Sequence, residues 1–134
     1  MSSVKDFILK DISVLEETKE ISFPQFNTPF KIRSIGAEEM QQITNEATRK
    51  VRNKKTHQTT EELDNQKLLD ILIEKAVVVP DLTSAELQEA YGTLGNAAAT
   101  ARKMLKAGQY IELTQQVQAI SGYDVDEIVE EIKN

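Results

Sequence analysis

Leu63-Asp64-Asn65-Gln66-Lys67-Leu68-Leu69-Asp70-Ile71-Leu72-Ile73-Glu74-Lys75-Ala76-Val77-Val78-Val79-Pro80 is the most apolar stretch of the chain, and its reading decides the fold. Leu63, Leu68, Leu69, Ile71, Leu72, Ile73, Ala76, Val77 and Val78 leave almost no polar side if the stretch is wound as a helix. Such a helix has to be surrounded by others. Pro80 lacks an amide hydrogen and ends it. The expectation is a central helix running into the valines, with the rest of the chain packed around it.

Upstream, Asn53 to Thr60 (N-K-K-T-H-Q-T-T) has no apolar residue and reads as a mobile loop over 53–60. Before it, Met40, Ile43, Ala47 and Val51 recur at helical spacing after Gly36. Ser34 is a candidate cap, and Glu38 and Glu39 sit where a helix start favours negative charge. Earlier still, Ile21 and Phe23 alternate with polar residues, Pro24, Asn27 and Pro29 punctuate, and Phe30, Ile32 and Ser34-Ile35 resume an extended pattern. This predicts a hairpin of strands near 19–23 and 30–34, too small to stand alone in water. Ser3 to Leu9, with Val4, Phe7 and Ile8 at helical spacing, predicts one or two helical turns capped by Ser2 or Ser3.

Downstream, Thr83 or Ser84 caps a short helix through Glu86, Leu87 and Tyr91, closed by Gly92. Asn96 opens a helix reaching Met104 and Leu105, whose small face of Ala97, Ala98 and Ala101 permits close approach. After Gly108 a further helix carries Tyr110, Ile111, Leu113, Val117 and Ile120 and ends at Gly122. Asp124 then caps a terminal segment with an apolar stripe of Val125, Ile128, Val129 and Ile132, about nine residues and too short to be stable undocked. The expected fold is mainly α, one domain over 1–134. Residues 1–36 carry the N-terminal β-hairpin, and 37–134 form a compact bundle of five or six helices.

With 134 residues, 40% of them hydrophobic and 28% charged, the chain supports one core and a solvated surface. It contains no cysteine, which excludes disulfides, thiolate catalysis and zinc–thiolate sites. Met1 to Asp11 lacks the basic start and long apolar run of a signal peptide, and no run of about eighteen apolar residues is present to span a bilayer. His57, the one histidine, falls in the polar loop beside Lys54 and Lys55, without the fixed partner a general base needs. Asp124-Val125-Asp126 lacks the turn glycine and twelfth-position glutamate of a calcium loop, and Gly92 and Gly95 lack a following Gly-Lys-Ser/Thr. No catalytic, cofactor-binding or metal-ligating residue is assigned, and the chain reads as non-enzymatic.

Net charge is −6, yet Arg49, Lys50, Arg52, Lys54 and Lys55 stand together, so the remainder carries a surplus of about eleven negative charges. That field repels phosphate polymers. A small helical nucleic-acid-binding regulator using 49–55 is the competing reading, but the cluster has no interleaved aromatic residues for stacking and falls at a helix C-terminus that itself favours cations. Tyr91, Tyr110 and Tyr123 sit at helix boundaries beside or one residue from glycine, where a ring packs at the core edge and its hydroxyl stays wet.

Several pieces taken in order resemble a known family. These are Pro29-Phe30-Lys31-Ile32-Arg33-Ser34-Ile35, Val78-Val79-Pro80-Asp81-Leu82, Ala85-Glu86-Leu87-Gln88 and Ala90-Tyr91-Gly92, followed by Met104-Leu105, Ala107-Gly108-Gln109-Tyr110, Ile120-Ser121-Gly122-Tyr123-Asp124 and the ending Val-Glu-Glu-Ile-Lys-Asn. Together they resemble the tail assembly chaperones of long-tailed phages and prophages of Gram-positive bacteria, in the defective-prophage type. Two positions depart from that pattern: Ser121, more often asparagine, and Asn96-Ala97-Ala98-Ala99, usually more acidic. The resemblance implies a helper absent from the mature virion that coats the long, helix-rich tape measure protein in the cytoplasm of the bacterial host. It also implies that tail tube protein is recruited by a longer, frameshifted form, and it is compatible with self-association. Candidate partner-binding residues are Tyr91, Tyr110, Leu113, Val117 and Tyr123, with the terminal stripe Val125, Ile128, Val129 and Ile132.

Overall fold

The apolar stretch splits in two. In a computed structural model, which describes residues 3–123, helix α2 spans Asn65–Ala76 and the valines that follow form a strand, Val77–Val79. Asp64 caps α2 by accepting from the Lys67 N–H (3.1 Å), and Leu68, Ile71, Leu72, Ile73 and Ala76 are buried along it. The helix stops before Pro80 because three consecutive β-branched side chains favour extended backbone, and an open sheet edge is there to receive them. The Val79–Pro80 peptide bond is cis.

That edge belongs to the N-terminal hairpin. Strand β1 (Thr18–Ile21) pairs antiparallel with β2 (Phe30–Arg33), Thr18 facing Arg33 and Ile21 facing Phe30. On its other side β2 pairs with the valine strand, Lys31 facing Val79 and Ile32 facing Val77, with an irregularity between. The hairpin expected from the sequence is thus the first two strands of a three-stranded sheet. Phe30 and Ile32 on its inner face are fully buried, and Phe23 meets Phe30 edge to face at 5.2 Å.

The second departure lies between the first two helices. Helix α1 (Ala37–Ala47) is capped by Gly36 and ends four residues before Val51. Ser34, expected as the cap, instead ties β2 to the segment before β1: its hydroxyl accepts from the Glu17 N–H (2.8 Å) and its N–H donates to the Glu17 carbonyl (2.7 Å). Thr48–Arg52 forms β3 and Thr59–Leu63 forms β4, a two-stranded ribbon whose turn includes Asn53 to Gln58. The Asn53 side chain accepts from the N–H groups of Lys55 and Thr56, and its backbone pairs with Gln58 and His57. Residues 53–60 therefore form a hydrogen-bonded turn and the start of β4. The valine strand, fifth in the chain, is β5.

Downstream the expected helices form. Helix α3 (Ala85–Ala90) is capped by Ser84, α4 (Ala97–Met104) by Asn96, and α5 (Ala107–Ser121) closes on Gly122, whose φ of +76° is the left-handed geometry of a helix terminator. Helix α2 is the hub, touching α1, α4 and α5, and α5 also lies against β1 and β2. The fold is mixed α/β, with five helices and two antiparallel sheets of three and two strands among the described residues. This corrects the mainly α expectation of a hairpin followed by a bundle of five or six helices. Helical spacing carried the reading through the β-branched run Val77 to Val79, and past the pairing of Thr48 to Arg52 with Thr59 to Leu63. The terminal helix expected after Asp124 lies outside the described residues.

Candidate functional site

Ahead of β1 the chain forms an arm of two 3-10 turns, Val4–Phe7 and Ile12–Leu15. Each turn is closed by a carboxylate: Asp6 accepts from the Ser3 N–H (3.0 Å), and Asp11 accepts from the Ser13 N–H (3.0 Å) and hydroxyl (2.7 Å). The bonds from Ser13 hold the Asp11 carboxyl below its ordinary titration range. Seven large apolar side chains on this arm stay uncovered. Val4, Phe7 and Ile12 are 77–79% exposed, with Ile8, Leu9, Val14 and Leu15 between 46 and 69%. A contiguous run of this kind marks an interaction surface, since each side chain gains about 1.5–3 kcal/mol when fully covered.

Between the arm and the start of α1 lies an open cleft of about 580 Å³, lined by Ile12, Leu15, Glu16, Arg33, Gly36 and Glu38. The Arg33 guanidinium is spanned by both oxygens of Glu39 at 2.8 Å, and this pairing draws the Glu39 carboxyl below its ordinary range. A second cleft of about 220 Å³ opens at the other end of β2, lined by Phe26, Pro29, Phe30, Val79, Pro80 and Met104. The clefts sit at opposite ends of one strand, the first by Arg33 and the second by Phe30.

The residues expected to meet a partner divide among several environments. Leu113 and Val117 are fully buried in the core between α5 and its neighbours. Tyr110 is half-buried: its hydroxyl donates to Asp70 (3.4 Å), Arg102 lies 6.0 Å from its ring centroid, and Arg102 bridges to Asp70 at 2.6 Å. Burial, followed by the charge of Asp70, raises the Tyr110 pKa. Tyr123 is also half-buried, its hydroxyl meeting no partner among the described residues, and desolvation pushes its pKa well up. Tyr91 is half-exposed beside the end of α3. Val125, Ile128, Val129 and Ile132 lie outside the described residues.

Two of the five cations of the basic cluster face acids within its own ribbon. Arg49 faces Glu62 with a bridge of 3.6 Å, Lys50 faces Glu61, and Arg52, Lys54 and Lys55 remain towards the turn. His57 there adopts a φ of +58°, with Arg52 Nη2 3.4 Å from its Nδ1. What the sequence reading passed over is the arm. Val4, Phe7 and Ile8 carry the spacing of a helical face, but only the tertiary structure shows that these side chains stay exposed among the described residues.

No helix among the described residues is long and apolar enough to cross a membrane. The fold matches the crystal structure of the protein YqbN with a TM-score of 0.61 at 21% identity, over 81% of this chain and 87% of that one. The phage-like element PBSX protein XkdN of Bacillus subtilis (strain 168) is 27% identical over 108 residues, 79% of this chain and 72% of its own length. The model of the phage XkdN-like tail assembly chaperone proteins matches residues 4–133, from the arm to the last residue but one. The chain belongs to the XkdN-like tail assembly chaperone family.

Proposed function

We propose that this chaperone binds the tape measure protein of its phage or prophage in the host cytoplasm, keeps it soluble, and passes it to tail tube subunits without entering the mature virion. The observation carrying this reading is the arm, seven large apolar side chains held out on a small body that belongs to a tail assembly chaperone family. A long helical client with exposed apolar stripes aggregates unless those stripes are covered, and an apolar arm covers them by side-chain packing. The net charge of −6 then keeps the complex dispersed by mutual repulsion. Tyr91 and the stripe Val125, Ile128, Val129 and Ile132 belong to the proposed contact set, and a frameshifted longer product is the proposed recruiter of tube subunits.

Co-expression with the tape measure protein encoded in the same genome tests the reading. The two proteins are expected to co-purify through a tag on either one. A chaperone that never co-purifies with that client, although both are made, would remove the proposal. The ribbon weakens the nucleic-acid alternative, because Arg49 bridges Glu62 at 3.6 Å and Lys50 stands opposite Glu61, so acids interrupt the basic surface. Gel shifts at low salt are expected to show no retardation of duplex DNA or RNA.

A further inference from the structure

We infer that the cleft between the arm and α1 is the client-binding groove, and that it selects a polypeptide segment whose apolar side chains are flanked by lysine or arginine. The assignment rests on the client-binding reading and names both its site and the chemistry of its ligand. One wall is apolar: Ile12 and Leu15 are 77% and 69% exposed, and both line the cleft. The other wall is the end of β2 and the start of α1, and acids stand on both sides, Asp11 and Glu16 flanking the apolar turn and Glu38 on α1. All three acids are exposed, whereas Arg33, the one cation among the cleft's described lining residues, is already spanned by Glu39 at 2.8 Å. The groove thus presents apolar surface with three carboxylates in excess.

An occupant has to satisfy both features. An apolar segment edged by glutamates would meet like charge, while one edged by lysines would bury its apolar side and pair its flanks. A second copy of the chain fits poorly. Its concentrated cations, at residues 49–55, lie on the β3–β4 ribbon with a single apolar side chain among them, the half-buried Val51, too little to cover both Ile12 and Leu15. Its own arm balances Lys5 and Lys10 against Asp6 and Asp11 and supplies no net positive charge.

The probes are two short synthetic helical peptides with the same leucine stripe, one flanked by lysines and its twin by glutamates, titrated against the full chain by fluorescence anisotropy. The lysine peptide is expected to bind at least about tenfold more tightly than its twin, less so as salt rises. Ile12→Asp with Leu15→Asp is expected to weaken the lysine peptide by about tenfold or more, and Glu16→Lys with Glu38→Lys to shift preference towards the glutamate peptide. All four positions are exposed, so both double variants should keep the parent's cooperative melt, the charge variant a little lower because Glu38 sits in the first turn of α1. Equal binding of the twins, or lysine-peptide binding unmoved by the arm variant, would overturn the assignment. The chain has no cysteine, so Ile12→Cys gives a single reporter thiol. Disulfide-linked homodimers that the lysine peptide fails to suppress would award the groove to a second copy and likewise overturn it. If the arm variant still co-purifies with the tape measure protein, this groove is wrong while the chaperone reading survives. If the parent chain fails to co-purify, the reading itself falls.

Discussion

The two sheets of this protein are built from similar numbers of residues per strand and do opposite things. In the β1-β2-β5 sheet, Phe30 and Ile32 are fully buried and Val77 nearly so, under α2 and α5. In the β3–β4 ribbon no residue is buried, and the pairing is carried by backbone bonds and by basic residues opposite acids. A strand contributes to stability through what its side chains cover, so the first sheet is part of the core and the second is an appendage. The Asp64 N–H donates to the Ala47 carbonyl at 2.9 Å, closing the base of the ribbon without help from its outer part.

Mutations that separate the two sheets should fall in a clear order. Ile32→Ala, at a position with 0% exposure, is expected to cost about 2–5 kcal/mol in urea unfolding. A cost below that of a surface substitution would break the contrast. As a reference point inside the core but outside both sheets, Thr100→Val on α4 removes one hydroxyl of the buried Thr93–Thr100 pair (2.6 Å), and its expected cost is about 1 kcal/mol, because the Thr93 hydroxyl also reaches the Gln88 carbonyl at 3.3 Å. Glu39→Gln, at the edge of the core sheet beside Arg33, should cost about 1 kcal/mol or less at neutral pH. The folded-state pKa of Glu39 is lowered from its ordinary 4.5, so this contribution is complete above that value and is lost as pH falls through the lowered one. Parent and variant stabilities should therefore converge in acid.

On the ribbon the expected effects are smallest. Glu62→Gln breaks an exposed pair at 3.6 Å and should change stability by less than about 0.5 kcal/mol, within the scatter of a chemical melt. Joining Arg49 to Glu62 through Asn-Gly should leave a folded protein with a cooperative transition. Loss of folding on that excision would show that the ribbon carries structure as well as surface.

The same contrast explains what was legible in the sequence. Helix caps at Ser84 and Asn96, the terminator at Gly122 and the first hairpin are local signals, and each appears where the residues place it. Val77 to Val79 also carried a local signal, but the apolar run continued straight out of a helix, and only the free edge of β2 decides that the valines become a strand. The ribbon was readable in a different way. Arg49-Lys50 and Glu61-Glu62 mirror each other about the Asn53 turn, a pairing invisible to a search for apolar periodicity. For the interaction surface, the sequence exposes composition and hides cover. Leu113 and Val117 have the same apolar character as Ile12 and Leu15, and the tertiary packing alone puts the first pair at 0–1% exposure and the second at 69–77%.

If the exposed arm shields an apolar client, the fraction of tape measure protein left in the supernatant after co-expression depends on the arm's side chains. Parent chaperone should keep the client in the supernatant, while Phe7→Asp with Ile12→Asp, both at exposed positions, should let it pellet although the chaperone itself stays folded. A client equally soluble with the parent and with the arm variant would contradict the account.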